Sequence, residues 1–111
     1  VVVTGAGMKT FFCKLLPPRP SFPADITPDE MLLMQQHAQY WLGWMERGCV
    51  VAFGPVADPR GSYGIGILEV EDDGEVQRFT AGDPVILADC GFAYEVHAMP
   101  RGAVHRPFAA A

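Results

Sequence analysis

His37 is the residue of this chain whose type and setting most invite chemistry. It shares three- and four-residue spacing with Leu33, Met34, Trp41, Trp44 and Met45, so it lies on the apolar face of a helix. An imidazole facing an interior must find a hydrogen-bond partner, and it then either locks structure or moves protons. The other histidines are weaker candidates: His97 falls on an alternating strand pattern and His105 in a tail, neither spaced from His37 as metal ligands are. Cys13, Cys49 and Cys90 are far apart and show no CxxC or Cys/His spacing. That pattern argues against a disulfide framework or a zinc site. It favours reduced, buried thiols in a cytoplasmic protein. With no marked Ser or Cys nucleophile, the chemistry left is acid–base work by an imidazole, and no cofactor or metal is implied.

The element that must hold this imidazole is the stretch 27–48, TPDEMLLMQQHAQYWLGWMERG. Thr27 is a natural N-cap, Pro28 suits the first helical position, and Glu30 sits where a capping box takes its acid. Gly48 is the matching stop. Met31, Leu32, Ala38 and Leu42 widen the apolar arc beyond what one sheet contact needs.

Its 111 residues suffice for one compact domain. A net charge of −5, with Lys9 and Lys14 the only lysines, argues against nucleic acid or an anionic membrane as partner. No apolar stretch approaches transmembrane length. Residues 1–7, VVVTGAG, read as a vector remnant or N-terminal extension, residues 8–100 as the domain, and residues 101–111 as an aperiodic tail.

Within the domain, 8–16 reads as a strand with Phe11, Cys13 and Leu15 on one side. The proline-rich segment after it forbids regular structure, and a loop this long often covers something. The apolar run 49–56 predicts a strand covered on both faces. Residues 63–70 predict its hairpin partner, where Gly64 and Gly66 share a face that something approaches closely. Residues 72–82 predict a short second helix, 83–92 are ambiguous, and 92–99 alternate as a last strand. The order β-α-β-β-α-β is that of the ferredoxin-like α+β fold, a four-stranded antiparallel sheet with both helices on one face. Apolar residues on both sides of the strands predict that a second copy covers the open face, giving a homodimer with sheets packed face to face.

The segment His37-Ala38-Gln39-Tyr40-Trp41-Leu42 resembles the histidine-and-tyrosine helix signature of the YCII family. The resemblance continues through Gly48, Gly54-Pro55-Val56, Gly61-Ser62, Gly64-Ile65-Gly66, Asp83-Pro84, Gly91-Phe92 and Pro100, in the family's order and spacing. It implies a dimeric α/β-barrel type of assembly and a candidate active site made of His37 and Asp83. The family includes a dehydrochlorinase acting on chlorinated hydroxyhydroquinone. Two departures are the long loop 17–23 and the pair Asp89-Cys90.

A His–Asp pair suits proton abstraction and return on a small, partly apolar or aromatic molecule, as in elimination or isomerisation. Tyr40, Trp41, Trp44, Phe53 and Tyr63 would supply an aromatic wall, with the Gly54 backbone and the Ser62 hydroxyl as polar contacts. For each aromatic the plain alternative is core packing. For the whole chain the alternative is a non-catalytic small-molecule-binding or interaction module of the same fold.

Overall fold

A computed structural model describes residues 2–3 and 8–104. Helix α1 (Pro28–Glu46) begins as its sequence dictates: the Thr27 hydroxyl accepts from the Glu30 N–H at 3.2 Å, and Glu30 Oε1 accepts from the Thr27 N–H at 2.9 Å. It ends at Arg47, with Gly48 in the left-handed region at φ +85°. Trp41 is the residue of α1 that becomes fully buried, whereas Met31, Leu32 and Leu42 stay exposed. The wide apolar arc is thus only partly used within one chain.

The strands are β1 (Val2–Val3), β2 (Lys9–Leu16), β3 (Val50–Val56), β4 (Tyr63–Val70), β5 (Ala93–Met99) and β6 (Ala103–Val104). The α+β fold is built on a four-stranded antiparallel sheet in the order β3-β4-β2-β5. Alternation along β2 sends Phe11, Cys13 and Leu15 to one face. There Phe11 and Cys13 meet Leu68 and Val70 of β4, Trp41 of α1, and Val76 and Phe79 of helix α2 (Asp73–Gly82) in one core. Gly66 explains the paired glycines. A Cβ there would land inside the Trp41 indole, so what approaches is the helix.

Helix α2 starts at Asp72, whose side chain accepts from the Glu75 N–H at 2.8 Å. It stops because Pro84 disfavours helical backbone at the residue before it, and Asp83 turns extended at φ −64° and ψ 132°. Asp83 then caps the four-residue helix α3 (Pro84–Leu87), its Oδ1 accepting from the Val85 N–H at 3.1 Å.

One expectation about coverage needs correction. The run at 49–56 is an edge strand rather than one covered on both faces. A register shift between Val50 and Ala52 interrupts its ladder, and Val51 and Ala52 are exposed. An unbroken apolar run carries no period, so it cannot distinguish an edge from a centre. Past β5, β6 pairs with β1, and Gly102 lies against the side chain of the buried Thr10. On the face of the sheet away from α1, Phe12, Ile65 and Ile67 are half-buried. Among the described residues no helix is long and apolar enough to cross a membrane.

Because the Trp41 ring is held from several sides, Gly66→Ala should be among the costliest single-methyl changes in the protein. We expect a loss of at least about 3 kcal/mol, the upper end of overpacking penalties, read by urea denaturation followed through tryptophan fluorescence. A variant as stable as the parent would mean that the indole yields freely.

Candidate active site

Asp83 has no exposed surface. A carboxyl so placed must be surrounded by donors, and the fold supplies them from three directions. His37 and Trp41, one helical turn apart on α1, both reach its Oδ2: Nδ1 of His37 lies 2.8 Å away and Trp41 Nε1 donates at 3.1 Å. The Tyr94 hydroxyl of β5 donates to the same oxygen at 2.6 Å and accepts from Trp41 Nε1 at 3.0 Å. The Val85 N–H takes the other oxygen. Since the carboxylate accepts, Nδ1 is the donating nitrogen of His37, and a neutral ring then carries its lone pair on Nε2.

His37 also lines a cavity of about 340 Å³, within the size range of small-molecule sites. Met34, Ala38 and Trp41 join it from the helix; Leu15, Phe53, Phe92 and Tyr94 come from the sheet side. The loop before α1 contributes Pro17, Phe22, Pro23 and Ile26, with Phe22 edge-on to Phe92 at 5.4 Å between centroids. Gly54, Pro55, Ser62, Tyr63, Gly64 and Ile65 complete the wall. Asp83 is not part of the lining; it sits behind His37.

Of the residues singled out from sequence, His37 and Asp83 are in contact, and Trp41, Phe53, Gly54, Ser62 and Tyr63 line the cavity. Tyr40 and Trp44 do not. The Tyr40 hydroxyl donates to the Phe79 carbonyl at 2.8 Å, in the last turn of α2. Trp44 packs edge-on against the Phe79 ring at 4.9 Å. These two occupy the flank of α1 that faces α2, and they fix the end of α2 from which Asp83 hangs. Gly82 leaves room for the Tyr40 hydroxyl there: a Cβ would come within 2.7 Å of it.

Sequence reasoning missed Tyr94. Its signal was alternation, which sets it on the same side of the last strand as Phe92. Burial, with the Asp83 charge adding to it, holds the Tyr94 phenol well above the usual tyrosine range. Burial pushes the Cys13 thiol up to about 12, which leaves it without nucleophilic character at neutral pH. Cys49 is half-buried and Cys90 exposed, so the expectation of buried thiols holds for one of three. His97 stands exposed on β5 beside Glu95, and His105 is outside the described residues. Among the described residues no group of three or more His, Cys, Asp or Glu is arranged to hold a metal.

A family model described as the YCII-related domain matches residues 11–100. No curated protein matches the chain. Among solved structures it is similar to the crystal structure of NE2512, a protein of unknown function from Nitrosomonas europaea, with a TM-score of 0.57 and 11% identity. That alignment covers 93% of this chain and 100% of the other, and at such low identity it bears on the fold alone.

The raised Tyr94 pKa makes a stability prediction with a definite sign. Its contribution is complete below the unfolded tyrosine pKa of about 10 and is lost as pH rises from there through the higher folded value. Denaturant midpoints measured on the alkaline side should therefore fall above about pH 10 in the parent. In Tyr94→Phe the fall should be shallower. Asp83→Asn, which halves the acceptor capacity facing these donors, should cost about 2–4 kcal/mol at neutral pH. An alkaline limb unchanged in Tyr94→Phe would remove this phenol from the explanation.

Proposed function

The chain belongs to the YCII-related domain family, and on that premise we propose that it is a small enzyme carrying out acid–base chemistry through His37 and Asp83. The observation that carries the reading is the 2.8 Å contact between His37 Nδ1 and a fully buried Asp83, made at the wall of a cavity large enough for a metabolite. With Nδ1 engaged by the carboxylate, Nε2 is the ring position available to a substrate. It takes a proton from carbon or hydroxyl, while Asp83 stabilises the imidazolium that forms. In an isomerisation the same nitrogen returns the proton to another atom. In an elimination the C–H bonding pair becomes the new double bond, the leaving group departs with its own pair, and the imidazolium releases its proton to solvent. Trp41, Phe53 and Tyr63 would hold an apolar or aromatic body, with the Ser62 hydroxyl and the Gly54 backbone orienting a polar substituent.

The same reading extends to architecture and setting. The strand order β3-β4-β2-β5 with α1 and α2 on one face supports a ferredoxin-like arrangement, and the half-buried Phe12, Ile65 and Ile67 support a homodimer that covers the remaining face, as in dimeric α/β barrels. Three free thiols suit a reducing compartment such as the cytoplasm.

A panel of small phenols and lactones, assayed for product formation with the parent, His37→Ala and Asp83→Asn, tests the chemistry. We expect His37→Ala to lower kcat by at least about a hundredfold with little change in KM. Asp83→Asn should lower kcat while circular dichroism still reports a folded chain. A parent that binds members of the panel but converts none would make this a binding module. Light scattering should give twice the 12.1 kDa chain mass, and a monomer at micromolar concentration would rule out the dimer.

A further inference from the structure

We propose that the cavity beside His37 receives uncharged, ring-sized molecules, and that the loop of residues 17–26, latched by Arg19, enforces that choice. This deepens the reading of the cavity as a substrate site and rests on it. Among the described residues that line the cavity, none is Lys, Arg, Asp or Glu. Its polar groups are His37, Ser62, Tyr63 and Tyr94, and the Tyr94 hydroxyl is already committed to Asp83. An anion in this space would meet no lysine or arginine among the lining residues to compensate its lost hydration. A cation would find the nearest carboxylate enclosed by four donors.

Arg19 is the cation that the loop itself carries, and four of its five N–H groups are engaged. Its Nε reaches both oxygens of Asp25 at 3.0 Å, Nη1 donates to Glu30 Oε2 at 2.7 Å, and Nη2 donates to Glu30 Oε1 at 2.8 Å and to the Asp25 carbonyl at 2.9 Å. Ser21 donates to Asp25 Oδ2 at 2.6 Å. The hydrogen bonds from Arg19 hold the Glu30 carboxyl down at about 2 and pull Asp25 below its usual range, so the latch keeps its charges across ordinary pH. With the polar side chains of the loop tied to one another and to α1, the part of it facing the cavity is Pro17, Phe22, Pro23 and Ile26. A volume of about 340 Å³ equals the liquid share of roughly eleven waters, room for one or two fused rings.

The test is equilibrium binding of naphthol and naphthoate at neutral pH, a pair alike in ring system and different in charge. It is followed by quenching of the tryptophan fluorescence of the full chain, to which Trp41 at the cavity wall contributes. Naphthol should quench saturably and naphthoate should bind at least about tenfold more weakly. Equal or tighter binding of naphthoate, or no binding of either, overturns the proposal. Arg19→Gln and Glu30→Gln release the latch, and glutamine at position 30 preserves the capping box. Either variant should bind naphthol several-fold more weakly, and the second carries the test should the first fail to fold. Unchanged affinity and selectivity in a folded variant would remove the latch from the proposal. Binding is read without turnover, so a parent that selects naphthol yet converts no phenol overturns the catalytic reading alone. One that converts substrates yet prefers naphthoate overturns this inference alone.

Discussion

A carboxylate with no surface of its own must collect donors before the chain around it can close. In this protein Asp83 collects them from α1, from β5 and from the backbone of α3. Leaving any one of those groups buried without its partner would cost more than the bond contributes, so the constraint is cooperative. It ties the middle of the long helix to β5 through a residue that belongs to neither. The backbone does half of this before any tertiary contact forms. Pro84 excludes helical geometry at Asp83, which ends α2, starts α3 and points the side chain inward.

That same requirement shapes the chemistry available at the surface of the network. Oδ2 receives three donors, more than its lone pairs serve individually, and Trp41 shares its single N–H between Asp83 and Tyr94. The polar groups of Asp83, Trp41 and Tyr94 are therefore consumed behind the cavity wall. His37 joins that network to the cavity, whose lining is mostly aliphatic and aromatic, with Ser62 and Tyr63 among its residues. An imidazole in mostly apolar surroundings is a poor anchor for a charged ligand and a suitable partner for a single proton.

The features legible in the sequence were those set by local rules. The capping box at Thr27 and Glu30, the stop at Gly48 and the alternation of Phe11, Cys13 and Leu15 each depend on neighbours within a few residues, and each stands where those rules put it. Periodicity also found one broad helix face, but a face has two flanks and the sequence does not say what lies opposite each. His37 and Trp41 meet Asp83 and the cavity. Tyr40 and Trp44, a fraction of a turn away, meet Phe79 of α2. An aromatic wall of Tyr40, Trp41, Trp44, Phe53 and Tyr63 has the period right, but Tyr40 and Trp44 take their partners on α2. Tyr94 escaped for a related reason: its hydroxyl matters through a contact eleven residues away in sequence that only the assembled sheet creates.

Glu30 shows how a short chain couples such local and distant demands. Its Oε1 accepts both the Thr27 N–H that begins α1 and an Arg19 N–H from the loop beside the cavity. The positive end of the helix dipole favours a negative charge at that position, and the guanidinium favours it further. A substitution that satisfied only the helix would leave Arg19 short of an acceptor. One that satisfied only Arg19 would fray the turn that leads to His37. The start of the helix and the closing of the loop are thus set by one carboxylate, much as the end of α2 and the orientation of the imidazole are set by the other.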